Sequence, residues 1–227
     1  MPETSITLGG PSYEEYQSAL DLFEANLLFD ADDKCADLLS KYPHNSKLHL
    51  LRGAANMGTG HLEQAVKHYQ CAIKADPDDK RAYKDLGLSL TELGRLEEAA
   101  TAYRGFLNLD PEDLSAISNL GDLLLQLGNY PEAAAVFSSA IELDPQSAEA
   151  HSKLGLAQLS SGDYLSALST LSKTASLDPA SGIVYELLGD TLRELGETDS
   201  AIACYQMALA IDPLSNEAAR KLKEIES

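Results

Sequence analysis

The sequence predicts an all-α fold, a right-handed α-solenoid of six antiparallel helix pairs plus a capping helix. Three observations carry that expectation. Comparable prolines fall at Pro43, Pro77, Pro111, Pro145, Pro179 and Pro213, each 34 residues from the next, and a fixed period of this size marks stacked repeats. Within one period, apolar residues recur at i, i+3, i+4 and i+7, the stripe of an amphipathic helix. Small residues, large residues and turn formers also keep fixed places from period to period.

The unit from Lys80 to Asp113 shows the pattern most plainly. Tyr83, Leu86, Gly87 and Leu90 make one stripe; Leu96, Ala99, Ala100, Tyr103, Phe106 and Leu107 make a second. Gly94 sits between them, suited to the left-handed conformation that ends a helix. The second helix should stop at Asp110, because a residue before proline is pushed out of helical geometry. Asp113 can cap the next helix through its side chain.

The columns hold down the chain. One reads Ala19, Gly53, Gly87, Gly121, Gly155, Gly189, and another is alanine throughout, from Ala31 to Ala201. Facing small residues let two helix axes approach closely. The turn column is glycine except for Asn26, the next-best residue for that conformation. Asn45, Asp79, Asp113, Ser147, Ser181 and Ser215 are all good N-caps. The large column reads Cys35, Tyr69, Tyr103, Phe137, Leu171, Tyr205. Tyr83-x2-Leu86-Gly87-x2-Leu90, then Ala99-x3-Tyr103 and Pro111, resembles the tetratricopeptide repeat (TPR). The resemblance covers about Ser12 to Ser215. It is poorest in the first repeat, where Ser18, Ala19 and Cys35 replace leucine, glycine and the aromatic, and a looser N-terminal cap is expected there.

Bulk properties narrow the function. A formal charge of −19 disfavours nucleic acid and anionic membranes, which need a basic footprint. It serves solubility and could attract a basic partner. Cys35, Cys71 and Cys204 are far apart, without a CxxC, which fits a reducing compartment. No signal peptide or transmembrane stretch is read, so cytoplasmic location is the expectation.

By period, residues 1–11 form a flexible lead-in and residues 12–213 hold six repeats, at 12–45, 46–79, 80–113, 114–147, 148–181 and 182–215. One continuous array is expected, since each solenoid repeat touches only its neighbours. Arg52 and Asn56 are unusual in the second repeat. Pro131 falls in a first helical turn, where a missing N–H is tolerated. The fifth repeat should be the softest, with Leu171 for an aromatic, Thr174 for a small apolar residue and Gln158 for leucine. Residues 214–227 form a capping helix whose stripe is Ala218, Ala219, Leu222 and Ile225, and Lys223 blocks a further repeat.

Catalytic, cofactor and metal signals are absent. GAANMGTG lacks the Lys-Ser or Lys-Thr of a phosphate loop. DADDKC has Cys35 where a calcium loop needs glycine and Lys41 where it needs glutamate. His61 and His68 are not spaced as a helical zinc pair, and His44, His49 and His151 show no ligand spacing. A non-catalytic protein-interaction scaffold is therefore expected, binding a protein or peptide in a groove.

The resemblance implies that first helices line that groove. Its columns run from apolar Tyr13, Tyr16, Phe23, Leu50, Leu51 and Met57, through Lys47, Arg81, Lys84, Leu88, Asn119 and Lys153, to acidic Asp122, Glu149, Glu186, Asp190 and Glu194. Lys or Arg on such a face can grip a carboxylate. Lys84, Asn119 and Lys153 resemble part of the clamp by which some TPR domains hold chaperone C-termini. Leu88 and Glu149 break that match, and Glu149 would repel a carboxylate. Two alternatives stand beside the scaffold. One is a self-assembling homo-oligomer whose groove takes another copy. The other is the recognition segment of a larger enzyme or pilus-assembly system.

Overall fold

The structure is a computed structural model and describes residues 10–226. Most of the expected lead-in therefore lies outside the described residues. Thirteen α-helices are present among the described residues. They are α1 (Tyr13–Glu24), α2 (Leu28–Lys41), α3 (Ser46–Gly58), α4 (Leu62–Ala75), α5 (Lys80–Glu92), α6 (Leu96–Leu109), α7 (Leu114–Gln126), α8 (Tyr130–Leu143), α9 (Ala148–Ser160), α10 (Tyr164–Leu177), α11 (Gly182–Glu194), α12 (Thr198–Ile211) and α13 (Asn216–Glu226).

They form two compact units, one ending at Pro111 and the other beginning at Glu112. In the first, α1 to α6 pack as sequential antiparallel pairs, and α1, α3 and α5 also touch in turn. In the second, α7 to α12 pack in the same way, α9 touches α11, and α13 closes on α12.

One contact recurs inside the pairs. A Cβ placed on Gly53 would lie 2.6 Å from the Tyr69 ring, on Gly87 2.8 Å from Tyr103, and on Gly121 2.4 Å from Phe137. At Gly155 it would meet Leu171 at 2.5 Å, and at Gly189 Tyr205 at 2.4 Å. The bulky residue of each second helix thus lies on bare backbone of the first. The first repeat reverses the sizes across the same contact: Ala19 and Cys35 are both fully buried in one cluster with Leu38, Leu39, Leu48 and Leu51. Its departures from the repeat pattern compensate each other.

The turns follow the columns: Gly94 has φ +71°, and Asn26 takes the same conformation at φ 59°. Asn45, Asp79, Asp113, Ser147 and Ser215 accept hydrogen bonds from first-turn amides as expected. Ser181 does not; the Val184 amide donates instead to the Ser181 carbonyl at 3.2 Å. Ser12 adds a capping box with Glu15. Pro131 does fall in the first turn of α8.

In the fifth pair, buried Thr174 donates to the Thr170 carbonyl at 2.9 Å, so its hydroxyl is satisfied within its own helix. Gln158 differs, since its buried Oε1 has no hydrogen-bond partner. In α13 Ala218 is buried and Leu222 and Ile225 are half-buried, but Ala219 is exposed. Lys221 joins the packed side instead.

Two stability changes are expected. Gly121→Ala should cost about 1–3 kcal/mol, because the added methyl meets the Phe137 ring. Gln158→Leu should gain about 1–2 kcal/mol by removing an unsatisfied acceptor. Urea unfolding midpoints measure both.

Candidate partner-binding faces

In the first unit the first helices surround a cleft of about 350 Å³. Tyr16, Leu20 and Phe23 come from α1, Leu50, Leu51 and Ala54 from α3, and Arg81 and Asp85 from α5, with Glu24 at the rim. Its apolar wall continues into the buried cluster around Ala19 and Leu48. An adjoining cleft of about 600 Å³ is lined by Tyr13, Tyr16, Asn45 and Lys47 among others. Tyr13 is 80% exposed.

The structure thus gathers Tyr16, Leu50 and Arg81, and sets Tyr13 and Lys47 beside them. Met57 turns elsewhere, its sulfur accepting from the Tyr69 hydroxyl at 3.8 Å. The Lys84 ammonium lies 5.3 Å from the centroid of the Phe106 ring, a cation–π contact. Leu88 and Asn119 are half-buried.

In the second unit, Lys153 does not project freely. Its ammonium bonds Asp122 at 2.8 Å, Glu149 at 2.9 Å and the Ser118 hydroxyl at 2.9 Å, beside the Phe137 ring. Burial alone would lower its pKa, but the bonds to Asp122 and Glu149 outweigh that and raise it. A second lysine repeats the arrangement: Lys221 of α13 meets Asp190 of α11 at 2.7 Å, and Tyr205 donates to the same carboxylate at 2.9 Å. Sequence reading missed Leu20, Asp85 and Lys221. Comparing first-helix columns across successive repeats would have found them, since Asp122–Lys153 and Asp190–Lys221 are both 31 residues apart.

The unusual residues of the second repeat make a polar network against the first. Arg52 and Asn56 both donate to Asp32, at 2.7 and 2.6 Å. Burial pushes Asp32 up, but these two bonds prevail and its pKa falls. His49 and His68 stack nearby, with 3.2 Å between their Nδ1 atoms. His49 Nε2 lies 2.9 Å from the Pro43 carbonyl and must donate to it, so in the neutral pair His68 Nδ1–H donates to His49 Nδ1. Burial, then the Arg52 charge, pushes the His68 pKa down to about 4. Among the described residues no group of three or more His, Cys, Asp or Glu side chains is placed to hold a metal ion. No helix among them is long and apolar enough to cross a membrane.

A family model described as tetratricopeptide repeat matches residues 50–114 and 152–216, more than half of the chain, and a TPR repeat model matches residues 121–162. The chain belongs to the tetratricopeptide-repeat family. Among solved structures, this TPR chain is similar to YrrB, described as a TPR protein with an unusual peptide-binding site. The TM-score is 0.72 at 20% identity, over 83% of this chain and 97% of that one. It is similar to MamA at a TM-score of 0.64 and 26% identity, over 71% of this chain and 94% of MamA. MamA from Desulfovibrio magneticus RS-1 gives 0.65 at 21% identity, over 75% and 97%. A search of curated proteins found no match.

The His68 shift sets a pH dependence. A neutral folded imidazole stabilises fully above the unfolded pKa near 6.5, and that stability is lost as pH falls from 6.5 towards 4. The urea midpoint should therefore drop between pH 7.5 and pH 5, and His68→Asn should reduce the drop while keeping a donor near His49.

Proposed function

We propose that this chain is a non-catalytic interaction scaffold that holds an extended or helical segment of a partner protein against its first helices. The observation that carries this reading is the open apolar cleft of Tyr16, Leu20, Phe23, Leu50 and Leu51, with charged residues only on its α5 wall and rim. Apolar pockets of this kind take side chains, and neighbouring polar groups set register. YrrB, with the same fold, is described as having a peptide-binding site, which supports the same use here.

In this reading Tyr13 and Lys47 extend the surface beyond Tyr16. Arg81 sits at its α5 edge. Lys153 takes no carboxylate from the partner, because it already pairs with Asp122 and Glu149. The break in the chaperone-type clamp at Glu149 is thus also the contact that occupies its lysine.

Selection of random dodecapeptides on the full chain, followed by hydrogen exchange, tests the proposal. Bound peptides should protect α1, α3 and α5, and Phe23→Gln, with its helicity checked by circular dichroism, should weaken them at least about tenfold. Peptides that protect only other helices and ignore Phe23→Gln contradict it.

A further inference from the structure

The second unit shows how the first-helix face satisfies an acid. Lys153 reaches back from α9 to Asp122 on α7, and Lys221 reaches back from α13 to Asp190 on α11. The two pairs have the same 31-residue separation and stand two periods apart. Each therefore joins one fixed place on a first helix to one fixed place on the next.

In the first unit those two places hold Ala54 on α3 and Asp85 on α5, and both line the cleft. Here the rung has an acid and no base. Ala54 has no group to offer. Arg81 stands one turn earlier on α5, yet no ion pair joins it to Asp85. The Lys84 ammonium lies over Phe106. Among the described residues the Asp85 carboxylate takes part in no ion pair and no side-chain hydrogen bond, although Lys153 and Lys221 pair fully in the equivalent rungs.

We propose that the partner supplies the missing base: a lysine or arginine whose cationic head pairs with Asp85, on a segment whose apolar neighbours rest on Tyr16, Leu20 and Phe23. This rests on the cleft reading above and names the chemistry of its occupant. A carboxylate set in an apolar wall is poorly solvated, so an incoming cation gains more there than at an exposed acid. Burial raises the Asp85 pKa against the opposing pull of Arg81, which accords with a carboxylate short of a partner.

The dodecapeptides selected on the full chain serve as the probe. Cleft-binding peptides should share a lysine or arginine beside an aliphatic or aromatic residue. Replacing that lysine by norleucine, or arginine by citrulline, should weaken binding about tenfold or more, and Asp85→Asn should do the same. Ala54→Lys keeps the acid but fills the rung from within, and should weaken binding as much as Asp85→Asn. Glu97→Gln removes one charge from an exposed place on α6 that does not line the cleft, and should change affinity less than about threefold.

Selected peptides without a basic residue overturn the proposal. So does equal sensitivity to Glu97→Gln and Asp85→Asn, which would reduce the effect to net charge. Binding that responds to Phe23→Gln but not to Asp85→Asn or Ala54→Lys leaves the cleft standing and removes the base. Failure to enrich peptides, or indifference to all three variants, removes both.

Discussion

The repeats depend on one close approach, a ring or branched side chain of the second helix lying on bare backbone of the first. With 2.4–2.8 Å between an imagined Cβ and its neighbour in five repeats, no ordinary rotamer change admits a larger residue. That approach brings the two helices of a pair together and presents their remaining apolar faces to the next pair. A lone pair cannot bury those faces, so stacking follows from the same contact. The first repeat meets the constraint by exchanging sizes, Ala19 against Cys35, and keeps both fully buried.

Stacking has a second consequence, on the first helices. Successive ones meet at two fixed places, and the residues there decide what the face can hold. Asp122–Lys153 and Asp190–Lys221 close theirs with ion pairs. Leu20 and Leu51 give an apolar floor, and Ala54 and Asp85 leave an acid beside it. The binding character of the face thus comes from pairs of positions 31 residues apart, which the period itself leaves free to vary.

This division explains what was legible in the sequence. Helix positions, turns and most caps follow from local chemistry repeated at fixed spacing, so Gly94, Asn26 and Asp113 could be read one residue at a time. Ser181 escaped because its own backbone carbonyl took the place of its hydroxyl in accepting from the Val184 amide. Arg52 and Asn56 stood out as misfits, but their reason is Asp32 on another helix, and no local pattern names it. Lys153 looked like a free cation for the same reason, since its partners Asp122 and Ser118 lie a repeat away. His49 and His68 seemed unrelated until two facing helices brought their rings together. What the sequence hid was pairing between neighbouring elements.

The most direct measurement of the central constraint is a double-mutant cycle that gives the first repeat the arrangement of the others, Ala19→Gly with Cys35→Tyr, read by urea unfolding. Cys35→Tyr alone should be strongly destabilising, because its ring meets the Ala19 methyl. Adding Ala19→Gly should recover at least about 1 kcal/mol beyond additivity. If the two changes simply add, the size exchange across that contact does not hold the repeat together, and the account fails at its base.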